Sequence, residues 1–201
     1  MSLIRFRSHL PALLVWAVVG FPAVPVPAAE QAALFDALRE GGAVALIRHA
    51  LAPGTGDPAG FRLDDCATQR NLSDAGREQA RALGERLRAE GVARAAIYSS
   101  QWCRCLETAR LLDLGEVREL PALNSFFNDR SRADQQTDEL RSFLRAAPPS
   151  DPLVLVTHQV NIRTLTGEAP RSGEIIVVAL PLGGQVAVLG RIPPPERASA
   201  D

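Results

Sequence analysis

The chain has 201 residues, enough for a single domain with a proper buried core. Its 46% apolar and 22% charged residues describe an ordinary globular protein and exclude a fibrous or fully disordered one. A formal net charge of −1, from 22 basic and 23 acidic residues, argues against nucleic acid as a partner.

Residues 1–28 read as a secretory signal rather than as part of the fold. Arg5 and Arg7 make a positive start, Leu10 to Phe21 an apolar core, and Val26-Pro-Ala28 a small-residue cleavage site. The apolar run falls short of the ~20 residues of a spanning helix, and prolines follow it. These features predict cleavage near Ala28, a periplasmic or secreted protein, and no stable membrane association after cleavage. The folded domain then occupies 29–192, with a disordered tail over 193–201.

Apolar residues at 33, 34, 37 and 38 predict a helix over Gln31–Glu40, ended by Gly41-Gly42. Ala43-Val-Ala-Leu-Ile47 reads as a short, fully buried strand that delivers Arg48 and His49 to its carboxyl end. Residues 51–71 are rich in Gly, Pro and Asp, a loop long enough to fold over a site. Ser73 is placed to cap a helix over 74–90, which Gly91 stops. A strand at 95–99, a helix over 101–112 with Arg104 in its first turns, and a short strand at 116–119 come next. An irregular stretch over 121–133 leads into a helix at 134–146. The strand at 153–157 delivers His158, and a short helix follows at 160–166. Strands at 174–180 and 185–190, joined by Gly183-Gly184, form a closing antiparallel hairpin. Strands alternating with helices predict the α/β class, a three-layer α/β/α sandwich with a mostly parallel central sheet.

Two strands that each end in a histidine suggest one site built from both. Arg48 and Arg104 join His49 and His158 there, and such a cationic cup suits a phosphate, whose oxygens guanidinium groups grip bidentately. Arg48-His49-Ala50 resembles the Arg-His-Gly signature of the histidine phosphatase (phosphoglycerate mutase-like) superfamily. Leu72 to Ala80, Ser99 through Arg104 to Ala109, and Val156-Thr157-His158 are similar to its later motifs and occur in the same order. The resemblance implies a phosphatase fold and an exported phosphomonoesterase. It also implies His49 as the nucleophile, attacking phosphorus to form a phosphohistidine that water hydrolyses. Arg48, Arg104 and a protonated His158 match its phosphate pocket, which works without metal or other cofactor.

The proton donor departs from the family pattern. Ser125 stands where many relatives carry Glu, and Gln159 where the other branch carries Asp. Asp129 is the favoured substitute, because Phe126-Phe127 could desolvate it; Asp64, Asp65 and Glu174 are alternatives. Relatives also carry a Thr and an Asn soon after Arg-His-Gly. Thr55 matches the first as a substrate-binding residue, and the missing Asn argues against mutase activity. The expected substrate is a phosphorylated small molecule or glycan. Phosphohistidine or phosphoramidate hydrolysis, and non-catalytic phosphate binding, are the competing readings.

Of the three cysteines, Cys103 and Cys105 leave a helix on opposite sides and cannot easily bond to each other. Cys66 can reach one of them. Cys66–Cys105 is the favoured pairing, and three free thiols are the alternative.

Overall fold

The computed structural model describes residues 28–146 and 151–195. The expected signal segment, through residue 27, and the tail from 196 onward lie outside the described residues. At Pro193 the chain is still held by the fold, since Arg86 Nη1 donates to its carbonyl at 3.0 Å.

The predicted class is found. Strand β1 (Ala43–Arg48) lies inside a six-stranded sheet, and its first five residues are fully buried. A strand covered on both faces must be apolar throughout, and Ala-Val-Ala-Leu-Ile meets that need. On one side β1 pairs in parallel with β4 (Leu153–Thr157), so that Arg48 lies opposite Thr157. Beyond β4 lie β2 (Ala96–Ser99) and then β3 (Val117–Glu119), both parallel. On the other side β1 pairs antiparallel with β5 (Ile175–Ala179), which carries β6 (Val188–Ile192) at the edge.

Alternation along β1 builds the two cores. Ala43, Ala45 and Ile47 pack with Leu34, Phe35, Leu83 and Cys105, from helices α1 (Ala28–Arg39), α2 (Asp74–Ala89) and α3 (Cys103–Leu111). Val44 and Leu46 face the opposite layer, with Leu140 and Leu144 of α4 (Ala133–Ala146) and Ile162 and Leu165 of α5 (Gln159–Thr166). The result is the three-layer sandwich, with burial of these aliphatic side chains its main driving force.

The last hairpin differs from expectation. Its second strand runs from Val188 to Ile192 rather than over 185–190, and Ile192 is fully buried opposite Ile175. Gly183-Gly184 therefore sits in a longer connection. Two details fix what surrounds β1's end. Ser73 caps α2 as expected, its Oγ accepting from Gly76 N at 3.1 Å. Any side chain at Gly76 would overlap the Leu51 carbonyl, so glycine lets α2 press against the chain leaving β1.

Candidate active site

The carboxyl ends of β1, β2 and β4 meet at one edge of the sheet. His49 N donates to Thr157 O and Ser100 N to Val156 O, each at 3.0 Å. This backbone lattice brings His49 and His158 to within 5.6 Å, ring centre to ring centre. They border a cavity of about 140 Å³ that Arg48, Thr55, Asp57, Arg70, Arg104 and Ser125 also line. Sites for drug-sized ligands take roughly 300–1,000 Å³, so this one suits a single small group.

Hydrogen bonding sets the tautomer of each histidine. His49 Nδ1 lies 2.8 Å from the Ala50 carbonyl, which can only accept, so Nδ1 carries the proton and Nε2 keeps its lone pair. His158 is the reverse. Its Nδ1 lies 3.4 Å from Arg104 Nη2, a donor only, while Nε2 lies 2.9 Å from Ser100 Oγ. Burial, and then repulsion from Arg104, hold both imidazoles well below their ordinary pKa. The expectation was a protonated His158; burial and the neighbouring Arg104 instead favour its neutral form.

Alanine in place of the signature glycine fits without strain. Ala50 is fully buried among Ala52, Leu72 and Ala80, and its N–H donates to Thr108 Oγ1 at 3.0 Å.

Arg104 is nearly fully buried and donates from Nη1 to Asp57 Oδ1 at 2.9 Å, while Trp102 Nε1 donates to Asp57 Oδ2 at 3.1 Å. Arg48 Nη1 donates to Pro170 O at 3.0 Å. The Nε donors of Arg48 and Arg104 are buried without a hydrogen-bond partner among the described residues, and an oxyanion is the group that would satisfy them. Asp57 and Arg70 were not singled out by the sequence. Arg70 Nε donates to Gly56 O at 2.9 Å, and its guanidinium also binds the Ala52 carbonyl. It thus ties the loop after β1 into shape while lining the cavity. Its pKa is lowered by burial, then by Arg104. Three guanidinium groups against one carboxylate leave the cup strongly cationic. Among the described residues no cluster of three or more His, Cys, Asp or Glu side chains could hold a metal.

The carboxyl candidates named from the sequence do not reach the cavity. Asp129 is exposed and caps a turn, with its carboxylate on Ser131 N and Oγ. The chain reverses after Phe126, so the phenylalanine that was to desolvate it is buried elsewhere. Asp65 caps the turn at Cys66–Thr68 and pairs with Arg62, and Asp64 is exposed beside the same arginine. Glu174 is buried against Arg171 and Arg191. Thr55 does line the cavity, and Asp57 is the carboxylate that enters it.

The disulfide is Cys66–Cys103, not Cys66–Cys105. Cys103 opens α3 on the side that faces the first loop. Cys105, about 200° further round the helix, points inward with Sγ 3.7 Å from Thr157 O. Burial pushes that free thiol up to about 12. The bond spans 37 positions, which in the chain-entropy picture stabilises by about 4 kcal/mol. It also clamps the loop bearing Asp57 to the turn bearing Arg104. Alkylation of the denatured, unreduced protein is expected to modify one cysteine, Cys105; modification of three would show that the bond does not form.

A family model described as the histidine phosphatase superfamily (branch 1) matches residues 44–138. No curated protein sequence matches the chain. Among solved structures, a candidate phosphohistidine phosphatase SixA from Agrobacterium tumefaciens superposes with a TM-score of 0.54 at 18% identity, covering 77% of this chain and 99% of its own. The protein histidine phosphatase SixA complexed with tungstate gives 0.53 at 18%, covering 76% and 97%. A mycobacterial glucosyl-3-phosphoglycerate phosphatase gives 0.53 at 16%, covering 73% and 96%. At these identities the likeness is one of fold.

Proposed function

We propose that the chain is a phosphatase of the histidine phosphatase superfamily, an exported phosphomonoesterase that works without metal through a phosphohistidine on His49. The observation that carries this reading is the His49 tautomer. Its proton is held on Nδ1 by the Ala50 carbonyl, so Nε2 is a free nucleophile in a cavity lined by three arginines.

A phosphomonoester dianion repels nucleophiles until its charge is neutralised. Arg48, Arg70 and Arg104 supply that neutralisation. The dianion also offsets the repulsion from Arg104, so His158 takes up a proton as substrate binds. Nε2 then attacks phosphorus, a P–N bond forms, and the bond to the leaving oxygen breaks. In the second step water attacks phosphorus, the P–N bond breaks, and phosphate leaves with His49 restored.

The leaving oxygen needs a proton. Asp57 is the one carboxyl among the described residues that lines the cavity. Once phosphate displaces its carboxylate from Arg104, Asp57 takes a proton from solvent and passes it to the leaving oxygen. A second reading, phosphoramidate or phosphohistidine hydrolysis, is favoured by the grip of Arg104 and Trp102 on both Asp57 oxygens. Nitrogen leaving groups depart without much acid help. Turnover of an alkyl phosphate, an aryl phosphate and a phosphoramidate, each with and without chelator, tests the proposal. The expected result is turnover of both phosphate esters, unchanged by chelator. Asp57→Asn should slow the alkyl ester by about a hundredfold, and the aryl ester far less. An equal loss on both would reduce Asp57 to a holder of Arg104 and favour the second reading.

Export is supported by the character of residues 1–28 and by a disulfide, which needs an oxidising compartment. The mass of the protein recovered from its native cells should lack about the first 28 residues. A retained leader would overturn export.

A further inference from the structure

We propose that the groove beside the phosphate cavity binds a second anionic group, so that substrates are phosphomonoesters whose alcohol half carries a carboxylate or another phosphate. The proposal rests on the phosphatase reading, for it concerns the other half of the same substrate.

The groove is about 440 Å³ and is lined by Phe127, Arg130, Gln159, Val160, Arg163 and Thr164. Phe127, Gln159 and Val160 also line the phosphate cavity, so the two spaces adjoin. A phosphoryl group held by Arg48 and Arg104 would direct its leaving group past these three residues. The groove is about three times the volume of the cavity, room for the larger part of a substrate.

Its chemistry is one-sided. No carboxylate lines it, and neither Arg130 nor Arg163 has an ion-pair partner among the described residues. Both groove arginines are positioned by their neighbours. Gln159, Val160, Arg163 and Thr164 share one stripe of α5, at i, i+1, i+4 and i+5, so the helix aims Arg163 along the groove. Arg130 also lines the groove, with its guanidinium 5.3 Å from the centre of the Phe127 ring. That contact restrains the arginine beside the groove.

Phe127 is 41% exposed, an unusual position for a large aromatic, and its neighbour Phe126 is buried. Beside the cavity its face offers a flat surface for a sugar or aryl skeleton, with the two guanidinium groups beyond it for an anion.

The test uses His49→Ala, which can hold ligand without turning it over. Calorimetry compares phenyl phosphate with 4-carboxyphenyl phosphate, and glucose 6-phosphate with glucose 1,6-bisphosphate. In at least one pair the ligand with the extra anion should bind about tenfold or more tightly. The pair that shows it tells carboxylate from phosphate. Arg163→Ala on this background should bring that ratio towards one, and Arg163→Lys should keep part of it. Because the ratio compares ligands sharing one phosphate, damage to the phosphate cavity cancels. Equal affinities in both pairs, or a ratio that survives Arg163→Ala, would overturn the subsite. Failure of the parent enzyme to hydrolyse phenyl phosphate would instead count against the phosphatase reading, and the binding ratios would still decide this one.

Discussion

His49→Ala is expected to lower turnover by roughly 10⁴-fold or more, because it removes the atom that accepts the phosphoryl group. Brief incubation of the parent with labelled substrate, quenched without acid, should leave label on the protein that survives base and is lost in acid. The variant should take up none. His49 is 3% exposed, and its Nδ1–H holds the Ala50 carbonyl, so alanine also opens a small cavity and leaves that carbonyl unpaired. His49→Asn separates the two effects. The Asn amide can donate to the same carbonyl, but it offers no nucleophile. It should therefore fold like the parent and remain as inactive as the alanine variant. Turnover by a folded His49→Asn protein would eliminate the phosphohistidine mechanism.

Arg104→Lys should weaken the grip on the phosphoryl group itself. Arg104 uses Nη1 for Asp57, Nη2 for His158, and keeps a buried Nε without a partner. A lysine ammonium is a single point and cannot serve three directions at once. We expect kcat/KM to fall by about tenfold or more, with inhibition by inorganic phosphate weakening in parallel. Removing the charge as well adds a signature in pH. Arg104 is the largest cause after burial that holds His49 and His158 below their ordinary pKa. In Arg104→Ala both groups move up towards pH 6.5, so protonation of His49 begins at a higher pH as the solution is acidified. The acid limb of kcat/KM should shift upward in Arg104→Ala and much less in Arg104→Lys. Parent-like kinetics in the lysine variant would remove Arg104 from the phosphate site.

Much of the fold could be read locally. A run such as Ala43 to Ile47 has no polar face to show to water, so it must be an inner strand, and whatever follows it emerges at the sheet edge. The same holds for Leu153 to Thr157, which is why His49 and His158 could be paired across more than a hundred residues. Arg48 and Arg104 followed from where their elements begin or end. Helix and strand ends shifted by a few residues, at α1, α3 and β6, where tertiary contacts outweigh local pattern.

The groups in the loops were a different matter. The stretch 51–71 has no hydrophobic period, so nothing in it marked Asp57 or Arg70 above Asp64 or Asp65. Their places come from the folded path of that loop, from the Cys66–Cys103 bond and from the indole of Trp102. Asp129 misled for the same reason: closeness in sequence to Phe126 says little where the backbone turns between them. The disulfide partner turned on which face of α3 meets the first loop, a matter of about 200° of helix rotation that spacing alone leaves open. The sequence by itself determined the buried strands, the residues at their ends and so the charge of the site, because burial and periodicity are local demands. Only the tertiary structure decided which loop carboxylate enters the cup and which cysteine is bridged. The chain could meet those two demands in several ways, and long-range packing selects among them.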